Sequence, residues 1–221
     1  MPGKPHTVSD VMTRTVAAVG RDALFKDVIT LMEERKVSAL PVLEGDGRVI
    51  GVVSEADLLP KEEFRDSDPD RFTQRRRLDD LAKAGAVTAG ELMSTPAVTV
   101  HANATLSQAA RVMARGGVKR LPVVDDDNLL EGVVSRSDLL KVFLRGDGEL
   151  AEEVRHEVVD RLFPLSADHI QVEVAEGVVT LTGWVDDNGL ARVAERLART
   201  VEGVVDVRCR LTPMSVRSDP R

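Results

Sequence analysis

Leu24, Val28, Leu31 and Met32 recur every three or four positions, with Lys26, Asp27, Glu33 and Glu34 on the other faces. That spacing predicts an amphipathic helix that starts behind Asp22 as N-cap and ends near Lys36. Before it, residues 1–7 read as a tail, Val8 to Met12 as one helical turn and Val16 to Val19 as a short strand. After it, Leu40-Pro41-Val42-Leu43 reads as a strand whose proline places it at an edge or a strand start. Gly45-Asp46-Gly47 signals a hairpin, Val49 to Val53 returns, and a new helix begins at Ser54. The order is strand, helix, strand, strand, helix.

The same order comes round again 81 positions later. Val98 to Val100, a helix from Asn103 to Arg115, Leu121 to Val124, Leu130 to Val134 and a helix from Ser135 repeat the pattern. Met12 falls on Met93, Val19 on Val100, Met32 on Met113, and Leu40-Pro41-Val42 on Leu121-Pro122-Val123. Gly51-Val52-Val53-Ser54-Glu55-Ala56-Asp57-Leu58-Leu59 falls on Gly132-Val133-Val134-Ser135-Arg136-Ser137-Asp138-Leu139-Leu140. Matches in one register without a gap identify an internal duplication. Asp125-Asp126-Asp127 falls where the first copy has Glu44-Gly45-Asp46, so it reads as a hairpin turn rather than a metal site.

Residues 60–87 join the copies, with seven basic against seven acidic groups. Arg75-Arg76-Arg77, followed by Asp79-Asp80, reads as a solvated helical face. Arg145-Gly146-Asp147-Gly148 marks the next boundary. Beyond it Leu150, Val154, Val158, Val159 and Leu162 predict a helix, and Ile170, Val172 and Val174 a strand. Glu176-Gly177 is a turn, and Val179 and Leu181 lie on a second strand. Leu190, Val193, Ala194, Leu197 and Val201 make a helix that stops near Gly203. Val205, Val207, Cys209 and Leu211 make a last strand, and residues 213–221 a disordered tail.

Composition changes this picture little. An apolar share of 43% with 30% charged residues belongs to a soluble globular chain. The net charge of −7 argues against nucleic acid or anionic lipid as partner. The single Cys209 excludes an internal disulfide and reads as a small core hydrophobe. His6, His101, His156 and His169 lack metal-ligand spacing, and no catalytic set stands out, so neither a metal nor an enzymatic role is expected. Met1 to Met12 has no apolar export core, and the expected location is cytoplasmic.

Ser54 with Asp57, and Ser135 with Asp138, carry the chemistry. A strand ends and a helix starts at once, and a helix start favours anions. The hydroxyl can donate to a phosphate oxygen, and the carboxylate can accept from both hydroxyls of a ribose. Gly51 lets a neighbouring backbone or an adenine ring approach the strand. The same Ser-x-x-Asp pattern is also a capping box that satisfies its own helix, and both readings stand. The second copy adds Lys119, Arg120 and Arg136 where the first has Ser38, Ala39 and Glu55. Guanidinium groups pair with phosphate, so the pocket nearest Asp138 is expected to favour more phosphate.

Leu-Pro-Val followed by Gly-Val-Val-Ser-x-x-Asp-Leu-Leu, twice, resembles a pair of CBS domains, a Bateman module, over residues 8–59 and 88–144. The resemblance implies an α/β fold in which two repeats pack about a pseudo-two-fold axis. It implies adenine nucleotides, AMP, ADP or ATP, in the cleft between repeats, with S-adenosylmethionine as another possible ligand. Ser54 and Ser135 would touch phosphate, and Asp57 and Asp138 would hold ribose. It also implies a homodimer, for which the helices of Met32 and Met113 are candidate faces unless those methionines pack inside. Residues 149–212 resemble a BON domain through Val174-Ala175-Glu176-Gly177-Val178-Val179-Thr180-Leu181-Thr182-Gly183-Trp184-Val185 and Val201-Glu202-Gly203-Val204-Val205-Asp206-Val207. An αββαβ order goes with it. That family is linked to lipid surfaces, but fourteen acidic against nine basic groups in residues 149–221 favour an unknown protein partner over membrane lipid. Trp184 is either an exposed anchor for that partner or a ring packed on a helix.

Overall fold

The computed structural model describes residues 6–64, 78–185 and 188–213. Arg75-Arg76-Arg77 and the tail after Pro213 lie outside the described residues. The chain divides into two units, Thr7–Leu139 and Leu140–Arg221 with Met1–His6. Among the described residues no helix is long and apolar enough to cross a membrane.

The first unit holds both copies. In copy 1, α1 (Val8–Val11), β1 (Val19–Gly20), α2 (Phe25–Arg35), β2 (Ala39–Glu44), β3 (Arg48–Ser54) and α3 (Glu55–Glu63) follow in order. After α4 (Leu78–Gly85), copy 2 gives α5 (Ala89–Leu92), β4 (Val100–His101), α6 (Leu106–Gly116), β5 (Arg120–Val124), β6 (Leu130–Ser135) and α7 (Arg136–Leu140). Each copy has a three-stranded mixed sheet with the Leu-Pro-Val strand in the middle. Pro41 is therefore on a central strand, not at an edge. It is tolerated because β1 covers only Val42 and Leu43, so at Pro41 the strand has a neighbour on one side only.

The two copies exchange their leading segments. Val8 N–H donates to Ala104 O (2.8 Å) and Ser9 N–H to Ala102 O (2.9 Å), while Ala89 N–H donates to Ala23 O and Gly90 N–H to Arg21 O (2.8 Å each). Thr13 and Val133 exchange two hydrogen bonds, as do Ser94 and Val52. Every contact in one set maps onto the other by the 81-residue shift, which is the pseudo-two-fold arrangement expected of the repeats. Ala89 and Leu92 accordingly sit in the core of copy 1 with Val28, Met32, Leu40, Val42 and Val53. The exchange also moves helix starts. Phe25 N–H donates to Val87 O and Leu24 bridges Thr88, which keeps Leu24 extended as N-cap, so α2 starts after Leu24 rather than after Asp22. Thr105 is held likewise, and α6 starts at Leu106 rather than near Asn103. Met32 and Met113 are 6% and 2% exposed, so both pack inside the module.

The second unit is an αββαβ layer. Its sheet has β8 (Val178–Val185) between antiparallel β7 (Ile170–Ala175) and parallel β9 (Asp206–Pro213). α8 (Asp147–Val154) continues through a π-turn (Arg155–Val159) and a last turn (Asp160–Leu162). The wider turn brings Val158, Val159 and Phe163 all inward, so Phe163 rather than Leu162 fills the core. α9 (Asn188–Ala198) supplies Ala191, Ala194 and Ala198. The tetrapeptide read as a boundary belongs to this unit. Asp147 accepts from the Glu176 and Gly177 N–H groups (2.9 Å each), and Arg145 donates to Glu202 O (2.7 Å) and Glu153 (2.6 Å). His6, read as tail, donates its backbone N–H to Glu202 (2.9 Å). Cys209 is half-buried against the core, and Trp184 is 55% exposed.

Candidate functional site

Ser54 ends β3 and caps α3. Its N–H donates to Asp57 Oδ2 at 2.7 Å and its hydroxyl donates to the same oxygen at 2.6 Å. In copy 2, Ser135 N–H and hydroxyl donate to Asp138 Oδ2 at 2.9 and 2.5 Å, and Asp138 N–H donates back to Ser135 Oγ at 3.4 Å. The capping geometry is thus realised in both copies, and it holds both carboxylates at the same place in each repeat.

Asp57 is the more enclosed of the two, at 8% exposed, while Asp138 is half-buried. Its Oδ1 faces the leading segment of copy 2 and the helix before it. Ser94 Oγ donates to Oδ1 at 3.1 Å, and Lys83 of α4 forms an ion pair with the same oxygen. Lys83 also donates to Ser94 Oγ at 3.2 Å. Neither Lys83 nor Ser94 was singled out from the sequence. Ser94 had a signal: it falls on Thr13, another hydroxyl just after the paired methionines. Lys83 had none, because it lies in the segment present once.

The glycine before each motif admits the crossing segment. A Cβ on Gly51 would meet Met93 Sδ at 2.5 Å, and one on Gly132 would meet Met12 Sδ at 2.9 Å and Thr13 O at 3.0 Å. The close approach expected at Gly51 is therefore made by protein.

A cleft of about 390 Å³ opens on the other face of α3, where Glu55 and Leu58 line it together with Ile29, Met32, Lys36 and Ser38. Its volume lies in the range of small-molecule sites. Arg120 of β5 lines it as well, so this residue borders the cleft of copy 1. Lys36 adds a second cation and Glu33 and Glu55 two carboxylates. Arg136 instead donates to Val118 O at 3.1 Å, and Lys119 is exposed. The cations expected to act together are thus spread over different places. Among the described residues no cluster of metal-ligating side chains occurs. Asp125 accepts from the Asp127 and Leu129 N–H groups at 2.9 and 2.8 Å, as a hairpin turn requires.

Comparison with known proteins agrees with this architecture. The CBS domain model matches residues 8–61 and 89–145, and the BON domain model matches residues 146–212. The Methanocaldococcus jannaschii protein MJ1426 is 27% identical over 158 residues, 64% of this chain and 94% of that protein. The Bacillus subtilis CBS domain-containing protein YhcV is 30% identical over 133 residues, 60% of this chain and 82% of that protein. Other relatives are longer: the chain spans 64% of the Arabidopsis thaliana chloroplastic protein CBSX2 and 43% of M. jannaschii MJ0188. A crystal structure of CBSX2 in complex with AMP is 31% identical to this chain. It covers 63% of this chain and 97% of that one, with a TM-score of 0.55.

Proposed function

This chain belongs to the CBS domain family, carrying a tandem pair with a BON domain behind it, and on that premise we propose that it is a regulatory protein that senses an adenine nucleotide. The observation that carries the reading is the duplicated Ser–Asp pair, held at equivalent places in two repeats that exchange their leading segments. The similar CBSX2 structure contains AMP, which makes AMP the first ligand to test here. In this reading Asp57 and Asp138 accept from ribose hydroxyls, Ser54 and Ser135 donate to phosphate, and Arg120 contributes charge across the copies. Lys119 and Arg136 act at the rim of the second pocket. ADP, ATP and S-adenosylmethionine are the competing ligands. The protein works in the cytoplasm and carries out no catalytic step.

A homodimer is part of the proposal. Leu24, Ile29 and Leu59, on or beside α2 and α3, are exposed apolar side chains that a second copy would cover. The BON unit relays the bound state to a protein partner, with Trp184 as its anchor. Lipid binding is the lesser alternative for that unit.

The second reading is a scaffold with empty pockets. The closed capping boxes favour it, since the Ser–Asp pairs satisfy their own helices. Calorimetric titration of AMP, ADP, ATP and S-adenosylmethionine into the intact protein decides between them, with Asp57→Ala and Asp138→Ala alongside. The sensor reading expects heat with one of these ligands and its loss in at least one variant. No heat with any of them, in folded protein free of co-purified nucleotide, favours the scaffold.

A further inference from the structure

A carboxylate offers about four lone-pair sites, two on each oxygen. At Asp57 all four are engaged: Oδ2 accepts from the Ser54 N–H and hydroxyl, and Oδ1 accepts from Ser94 Oγ and Lys83 Nζ. A ribose hydroxyl can hydrogen-bond to this carboxylate only where one of these donors leaves. The Ser54 N–H is fixed at the helix start, the Ser54 hydroxyl turns away when it donates to phosphate, and the Ser94 backbone is held by its pairing with Val52 (2.9 Å from Ser94 N to Val52 O). Lys83 is the one charged donor among the four, and it sits on a four-carbon stem that can swing out. Lys61 Nζ also ties α3 to α4, donating to Ala84 O at 3.0 Å.

We propose that Lys83 is a built-in competitor for the first nucleotide pocket, an ion-pair latch that holds Asp57 in the free protein and against which a bound ribose competes. The proposal rests on the reading of Asp57 as a ribose acceptor and adds a regulatory contact to it. Two further observations support it. The Lys83 and Asp57 side chains are 19% and 10% exposed, so the pair is shielded and not a surface contact that water screens away. In the register that superposes the repeats, position 83 falls on Pro2, so no lysine corresponds to it in the other copy. Opening the latch removes one tether of α4, an element with no fully buried residue, so occupancy of the first pocket is expected to loosen residues 78–85. By reciprocity, whatever holds α4 down weakens nucleotide binding.

The test uses the full chain, AMP as probe, and Lys83→Met and Lys83→Arg. Methionine keeps the apolar stem and removes the charge, while arginine keeps an ion pair. If the latch is closed about nine-tenths of the time, removing it tightens apparent affinity about tenfold, since only the open fraction binds. The expected result is tighter AMP binding by Lys83→Met and near-original binding by Lys83→Arg. Hydrogen exchange in residues 78–85 should also rise when AMP saturates the original protein, towards the level of unliganded Lys83→Met. AMP binding that is unchanged or weaker in Lys83→Met overturns the latch, since the lysine is then a bystander or a phosphate ligand. Exchange in residues 78–85 that AMP leaves unchanged overturns it as well. Absence of AMP binding in all three proteins overturns the sensor reading for this ligand and the latch with it, an outcome distinct from equal binding by all three.

Discussion

Gly51 and Gly183 show how differently a single missing side chain can matter. At Gly51 an added Cβ meets the thioether of Met93, a side chain that can turn aside. Gly51→Ala is therefore expected to cost about 1–3 kcal/mol, as overpacking does. At Gly183 the Cβ would lie 2.0 Å from the His169 carbonyl oxygen, and the backbone has φ +136°, where only glycine is at ease. Overpacking there adds to backbone strain of about 1–3 kcal/mol, and a carbonyl in the chain cannot rotate away. Urea unfolding should show a larger loss of stability in the second unit with Gly183→Ala than in the first with Gly51→Ala, each against the original protein; equal losses would contradict this. Glu91 gives a pH-dependent counterpart. The Val87 and Thr88 N–H groups hold its carboxyl below the ordinary value of 4.5. A carboxyl depressed in the folded state stabilises above its unfolded value and loses that contribution as pH falls through the folded value. Glu91→Gln should lower the midpoint at pH 7, and the gap to the original protein should close in acid below about 4.5.

At the scale of elements, the period of the apolar residues revealed most of the fold and little of how its parts are tied. Helices, strands and hairpins appear where the spacing of Leu24 to Met32 or of Ile170 to Val174 puts them. Helix starts were missed by up to three residues, because pairing between Leu24 and Thr88 and between Thr7 and Thr105 is a non-local event. The π-turn at Arg155–Val159 was illegible, since adjacent valines at 158 and 159 fit an ordinary helix nearly as well. The Ser–Asp pairs were legible through duplication, whereas Lys83 and the exchange of leading segments depend on which distant chain comes alongside. Asp147 makes the same point. Read as part of a boundary, it clamps the β7–β8 turn by accepting from two successive backbone N–H groups. Asp147→Ala should cost about 0.5–1.5 kcal/mol, mainly through the part-buried Gly177 N–H since water can reach the Glu176 N–H, and Asp147→Asn, which keeps one carbonyl acceptor, should recover part of it. Equal loss in both variants would show that the charge and not the acceptor geometry matters.

At the scale of the whole molecule, the exchange of leading segments makes the CBS pair one folding unit and leaves the BON unit with a core of its own. Copy 1 completes its core with Ala89 and Leu92 of copy 2, so residues 8–61 alone lack part of the apolar filling and the backbone acceptors of Val8 and Ser9 in α1. The core of Val154, Val158, Phe163, Ile170, Leu181, Ala194 and Val207 contains residues of the second unit alone. Calorimetric unfolding of the intact protein should accordingly show two transitions, one for each unit. A ligand bound only to the native pair stabilises that unit by RT ln(1 + [L]/Kd), about 2.7 kcal/mol at a hundredfold excess over Kd. The CBS transition must then rise with nucleotide concentration. A relay to the BON unit demands more, because coupling means that the ligand has different affinities for two states of the second unit. The proposed relay predicts that the second transition also moves, by an amount that saturates with the first. A second transition that stays fixed while the first climbs would leave nucleotide sensing intact and confine its consequence to the CBS pair, making the BON unit a passive tether.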